Sequence, residues 1–371
     1  MVVQSYGVFL VNFFNMRYIF TKQARRNFVI SVLVAVSTTA LSIVLILLVP
    51  PSIEPYWGRV FGYMLPYVAI GVSLFVTFAR RQSASEFSTA YWRFCLPLTI
   101  PLIFHGLSLL VLAQSDQVII KQFYDASAVG IYSLAVTISN LLNSIYQALN
   151  NAYVPFLYED FAGKSAPGVK ERHFDNYMRI FTTGTCAFLM LAPEVLKVMS
   201  DPSYWSAISV LPMLIVGQYC VFLYSFPVNY EFYRRQTRTV AFGTVCAAVL
   251  NIVLNYAFIP SMSYYGAALA TMVSYVGLFA FHFCTARFML GDRNFPLRKY
   301  LLGAACVGAA VAVYYPLRDL AIARWAIGLA LVALMFGGII RRRINVALRF
   351  TRSIDNLSQE CVVCLLDIKL G

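Results

Sequence analysis

Residues 91–160 read YWRFCLPLTIPLIFHGLSLLVLAQSDQVIIKQFYDASAVGIYSLAVTISNLLNSIYQALNNAYVPFLYED. This stretch decides the fold. Two hydrophobic spans flank a short polar segment, Ser115, Asp116 and Gln117, which reads as a loop. The first span carries Pro97 and Pro101 inside an apolar run, with His105 and Ser108 further along. In the second, Ser133, Thr137, Asn140, Ser144, Gln147 and Asn151 recur at i, i+4, i+7, i+11, i+14 and i+18. On a helix they form one continuous polar stripe. Hydrocarbon offers such groups no partner, so the stripe has to face water or other helices. Lining a cavity and bonding between helices both satisfy that demand.

The rest of the chain supplies the setting. Of its 371 residues, 60% are hydrophobic and 12% charged. A soluble domain carries about 25% charged residues, so the expected class is an all-α polytopic membrane protein. Ten spans are expected, at 27–49, 58–79, 94–113, 128–150, 177–198, 206–230, 239–259, 264–286, 300–317 and 324–340. Most reach the ~17–25 residues a crossing needs. The fifth is weakened by Arg179 and Glu194, and the tenth is bounded by Arg324 and Arg341, which can snorkel to the interfaces.

The basic residues alternate between loops. One set of loops, with the tail, holds 24 of the 29 Lys and Arg; Arg59, Lys121, Lys197, Arg318 and Arg324 lie on the other side. By the positive-inside rule the rich side is cytoplasmic, together with both ends of a ten-span arrangement. The net charge of +13 is therefore read as topology and not as a nucleic-acid surface.

Smaller features carry less. Residues 2–14 are apolar but short, and read either as the end of a truncated segment or as an amphipathic surface helix. Glu194, beside Pro193, reads as a proton or cation site or as an interfacial acid. Asn251 and Asn255 share a face, and Gly266, Ala270, Ser274 and Gly277 form a small-residue ridge suited to close helix packing. The tail carries Cys361 and Cys364 as a lone CxxC, too little for a metal site. The other six cysteines read as small apolar fillers. No cofactor or metal is expected. The sequence has no GxxxxGK[ST], HExxH or GxSxG, and no outer loop long enough for a catalytic domain. What remains is a helical bundle with a polar interior, the physical outline of a secondary transporter or flippase rather than an enzyme.

Several segments, in order, resemble the oligosaccharide flippases of the multidrug/oligosaccharidyl-lipid/polysaccharide exporter superfamily, the O-antigen and capsule repeat-unit translocases. They are RFCLPLTIPLIFHGLS, SDQVII, VGIYSLAVTISNL, NNAYVPFLYED, APEVLKVMSDPSYWSAISVLP, VNYEFYRRQT and NIVLNYAFIPSMSYYGAALATMVSY. The resemblance covers residues 17–287, and Gln117 stands where the family commonly has Arg after the Asp. It implies two six-helix lobes around a central cavity, with the front of the first lobe missing. On that map 1–90 is an incomplete first lobe, 91–290 the second lobe, 291–345 two additional helices and 346–371 a cytoplasmic tail.

The function implied is the flipping of a polyprenyl-pyrophosphate-linked oligosaccharide across the cytoplasmic (inner) membrane by alternating access. The stripe, with His105 and Asp116, would line the substrate path, and Arg93 and Arg179 are the candidate pyrophosphate contacts. The implied partners are the lipid-linked substrate, membrane lipid, and the polymerase and glycosyltransferases of the same pathway. An ion-coupled drug or metabolite exporter of the same fold and a non-transporting remnant are the rival readings.

Overall fold

A computed structural model describes residues 2–48, 54, 56–80, 89–166, 168–334 and 337. Its regular elements are helical, with no strand among the described residues. They run α1 (Val2–Phe20), α2 (Ala24–Leu48), α3 (Tyr56–Arg80), α4 (Thr89–Phe123), α5 (Ala126–Phe161), α6 (Val169–Met199), α7 (Leu211–Tyr233), α8 (Thr237–Met262), α9 (Tyr264–Cys284) and α10 (Leu297–Tyr314). A 3₁₀ turn, Pro202–Ser209, precedes α7, and a π turn, Thr285–Met289, extends α9. Among the described residues nine helices, α2 to α10, are long and apolar enough to cross a membrane. A shorter apolar helix, Ala321–Leu334, covers the front of the tenth expected span. The rest of that span, Arg341 and the Cys361/Cys364 pair lie outside the described residues. The chain is an all-α polytopic membrane protein.

The helices group into two compact units, one of Met1–Leu96 with Ala148–Gly163, the other of Pro97–Gln147 with Lys164–Gly371. In the first, α2 and α1 both pack on α3. The buried side of α3 is Gly58, Gly62, Pro66 and Gly71, which lets neighbouring backbones approach. A Cβ built on Gly62 would lie 2.4 Å from Cα of Ser42. Gly62→Ala is therefore expected to cost about 1–3 kcal/mol through overpacking, measured as a lower unfolding temperature in detergent. Residues 2–14 are part of α1, whose Gly7, Leu10, Val11 and Phe14 are buried, so this segment packs as a core helix of the unit and not as a lone surface helix.

In the second unit α9 is the hub, packed by α7 and α8. Gly266, Ala270 and Ser274 are buried. A Cβ on Gly266 would come within 2.6 Å of the Phe258 carbonyl. The ridge is a packing device, as expected. An aromatic core ties α6, α7 and α10 together, with ring centroids 4.2 Å apart for Phe181 and Phe222 and 4.8 Å for Phe174 and Phe226. Of the six cysteines assigned as fillers, Cys186 and Cys220 are buried, whereas Cys95, Cys246, Cys284 and Cys306 are exposed.

Two boundaries differ from expectation. Ser115, Asp116 and Gln117 are not a loop: α4 is unbroken for 35 residues, about 52 Å at 1.5 Å per residue. Ser115 and Asp116 bond to neighbouring helices, and the chain turns instead at Tyr124–Asp125, where Asp125 Oδ1 accepts the Ala128 N–H at 3.0 Å and caps α5. The sixth expected span divides. Asp201 caps the 3₁₀ turn by accepting the Ser203 N–H, which lowers its carboxyl pKa, and α7 starts afresh with Pro212 in its first turn.

Candidate functional site

The site begins with one face of α4. Ser108, Leu112, Asp116, Ile119 and Ile120 are buried at helical spacing. Side chains of α4 meet α8 at nearly constant sequence offset: His105 Nδ1 lies 2.7 Å from Thr244 Oγ1, Ser115 Oγ donates to Asn251 Oδ1 at 2.7 Å, and Tyr124 OH donates to the Pro260 carbonyl at 3.0 Å. A constant offset means the two helices run parallel. Parallel α4 and α8 require an odd number of crossings between them, which α5, α6 and α7 supply, so α7 counts as one full span despite its divided start.

Asp116 sits where α4, α5, α8 and α9 converge, and only 3% of it is exposed. Its Oδ2 accepts the hydroxyls of Tyr132 and Thr271, and its Oδ1 accepts Asn255 Nδ2 at 2.6 Å. Asn255 also donates to Asn251 Oδ1 at 3.1 Å. Each donor is neutral, so the carboxylate is held by dipoles rather than by a cation. The surrounding oxygens are hard donors of the kind Ca²⁺ or Mg²⁺ takes, but the Asp116, Tyr132, Thr271 and Asn251 oxygens are engaged in hydrogen bonds within the cluster. Among the described residues no three His, Cys, Asp or Glu side chains gather as a metal set.

Above this cluster opens a cavity of about 280 Å³. Its wall includes Gln114, Asp116, Gln117, Tyr132, Ser133, Thr137, Asn140, Gln218, Thr271 and Tyr275. Gln218 of α7 bridges two residues of α5, accepting from Asn143 Nδ2 at 2.8 Å and donating to Asn140 Oδ1 at 3.3 Å. Amides and hydroxyls both donate and accept, so such a wall can follow the changing hydroxyls of a sugar.

The structure brings four candidate residues to this cavity: Asp116, Ser133, Thr137 and Asn140. Ser144 and Gln147 continue the stripe as exposed residues on α5, and Ser144 donates back to the Asn140 carbonyl at 3.0 Å. Asn151 falls in the other unit, where it lines a separate pocket with Tyr18, Lys22, Asn27 and Phe156. His105 is half-buried against Thr244 and is not part of the cavity wall. Arg93 and Arg179 are exposed and belong to different units. Sequence reasoning missed Gln218, Thr271 and Tyr275 on the wall. Gln218 is a lone polar residue in the apolar run LPMLIVGQYCVF, which was a usable signal; Thr271 and Tyr275 carried none.

The fold and the site define a many-helix membrane bundle with an amide- and hydroxyl-lined cavity. Residues 2–159 match the family described as "Polysaccharide biosynthesis protein". The fold is similar to that of the solved structure of lipid II flippase MurJ in an inward closed conformation, with a TM-score of 0.53, 15% identity, and coverage of 83% of this chain and 67% of that one. An uncharacterized membrane protein of Haemophilus influenzae is 20% identical over 223 residues, or 56% of this chain. The chain spans about half, 54%, of the length of that curated relative. Over residues 2–159 the chain thus resembles a polysaccharide biosynthesis family, and it shares its fold with a solved flippase structure.

Proposed function

We propose that this protein flips a polyprenyl-pyrophosphate-linked oligosaccharide across the cytoplasmic membrane for O-antigen or capsule synthesis. The observation that carries the reading is the cavity of the second unit, whose wall is mostly amide and hydroxyl in an otherwise apolar bundle. Such a wall suits sugars better than the aromatic, apolar lining a drug exporter needs. The match of residues 2–159 to a polysaccharide biosynthesis family and the likeness in fold to lipid II flippase MurJ support the same reading. In this reading the protein works by alternating access, with both chain ends cytoplasmic. The prenyl tail stays in lipid, Arg93 and Arg179 meet the pyrophosphate at the basic face, and the polymerase and glycosyltransferases of the pathway act before and after transport.

The test is the leaflet distribution of the lipid-linked oligosaccharide in cells carrying Asn140→Leu with Gln218→Leu. Asn140 is exposed, so insertion and melting are expected to stay close to wild type. Losing two hydrogen-bonding amides at about 1–3 kcal/mol each is expected to slow flipping tenfold or more. Normal export by this double variant would remove the cavity from the substrate path.

A further inference from the structure

Two ionisable side chains outside the cavity wall meet near the ends of α7 and α9. Glu231 and His282 are each 0% exposed, and His282 Nδ1 lies 3.0 Å from both Glu231 oxygens. With Glu231 ionised, its carboxylate can only accept, so Nδ1 carries a proton and donates it. In the neutral ring Nε2 is then an acceptor. It is buried and has no hydrogen-bond partner. A structural clamp would be expected to satisfy both nitrogens, because an orphaned buried acceptor is costly.

The surroundings hold that nitrogen without pairing it. Nε2 rests over Gly243 of α8, where a Cβ would come within 2.8 Å. From α7 the Tyr224 ring stands with its centroid 5.0 Å from the imidazole, and Phe281 of α9 stands at 5.2 Å. From α4 comes His105, fixed to Thr244, whose own hydroxyl donates to the Val240 carbonyl at 2.9 Å. Within the π turn, Arg287 donates to the Asp292 carbonyl at 3.0 Å. Arg234 and Arg235 follow Glu231 where α7 ends. With a neutral ring the pair carries one uncompensated negative charge in an apolar site; a single added proton brings it to zero.

We propose that Glu231 and His282 form a proton-binding site in which Nε2 takes the proton, and that this proton is the coupling ion of transport. The step is pure protonation: carboxylate with neutral imidazole becomes carboxylate with imidazolium. The pair joins α7 to α9, and these helices also contribute Gln218, Thr271 and Tyr275 to the cavity wall. Proton occupancy thus bears on the helices that shape the cavity. Only the coupling clause rests on the flippase reading.

The sequence has three histidines, so His105→Gln with His173→Gln leaves His282 as the sole imidazole. In the full chain in lipid nanodiscs, ¹⁵N-histidine NMR between pH 8 and pH 5 should show Nε2 gaining a proton while Nδ1 keeps its own. Adding Glu231→Gln should weaken proton affinity tenfold or more. An Nε2 signal that does not change with pH, or a midpoint indifferent to Glu231→Gln, overturns the site. Should the background variant fail to fold, proton uptake by wild type against His282→Gln decides the same point, with one extra proton per wild-type chain expected.

A second arm imposes a pH gradient on vesicles loaded with lipid-linked oligosaccharide. Flipping driven by the gradient in wild type and indifferent to it in Glu231→Gln supports coupling. Proton binding together with gradient-independent flipping overturns the coupling clause alone. Proton binding with no flipping by wild type under any gradient sinks the flippase reading and leaves the site standing.

Discussion

Replacing Arg324 with leucine is expected to destabilise the second unit by about 3–5 kcal/mol, the usual cost of stranding one partner of a buried ion pair. The Arg324 side chain is 1% exposed and uses its whole guanidinium fork. Nη2 donates to Glu194 Oε1 at 2.5 Å and Nη1 to Oε2 at 2.9 Å. Nη1 also reaches the Met190 carbonyl at 3.0 Å, and Nε the Leu317 carbonyl at 3.1 Å. Leucine would leave the Glu194 carboxylate without its cation. Lysine restores the charge but not the fork, so Arg324→Lys should fall between the two.

The control is Arg324→Leu combined with Glu194→Leu. Removing both charges removes the desolvation problem, so the double variant should recover most of the loss. Thermal unfolding in detergent reads all four proteins. A single Arg324→Leu variant that melts like wild type would show the pair to be ornamental.

The same pair marks where sequence reading stops. Spans were legible because the bilayer demands long apolar runs, and nine of ten emerged as membrane-length helices near their expected positions. Arg324 was expected to snorkel to an interface, and Glu194 to act as an interfacial acid or an ion site. Each expectation treated the residue alone. They lie 130 positions apart, and nothing local in either segment announces that α6 brings one to the other. Asp116 was misjudged in a related way. Three polar residues in a row suggest a loop, yet α4 continues through them: partners on α5, α8 and α9 take up the hydrogen bonds of Ser115 and Asp116, and Gln117 faces the cavity.

The polar stripe on α5 was legible as a periodicity, but its division was not. Tyr132, Ala135, Ile138, Ser139 and Leu142 are buried beside it, so the stripe runs along the flank of the packed face. Ser133, Thr137 and Asn140 reach the cavity, Ser144 and Gln147 do not contribute to its wall, and Asn151 falls in the other unit. Spacing fixes which residues share a face; the neighbouring helices decide what each part of that face meets.

Asp116→Leu is expected to have the largest effect of any single change in the site. It strands the Tyr132 hydroxyl, the Thr271 hydroxyl and the Asn255 amide, each buried and each aimed at the missing carboxylate. At about 1–3 kcal/mol per orphaned donor the loss approaches the whole stability margin of a folded domain. Tyr132 and Thr271, whose oxygens lie 3.4 Å apart, can recover part of it by pairing with each other. Asp116→Asn separates structure from charge. Its oxygen can keep the two hydroxyls, and its amide nitrogen can face an Asn255 side chain turned to accept, so melting should stay within about 1 kcal/mol of wild type. Among the cavity residues Asp116 supplies the one carboxylate. Flipping by a folded Asp116→Asn protein is accordingly expected to fall tenfold or more. A variant that folds and transports like wild type would reduce Asp116 to a hydrogen-bond hub, and an Asp116→Leu protein that melts like wild type would remove even that role.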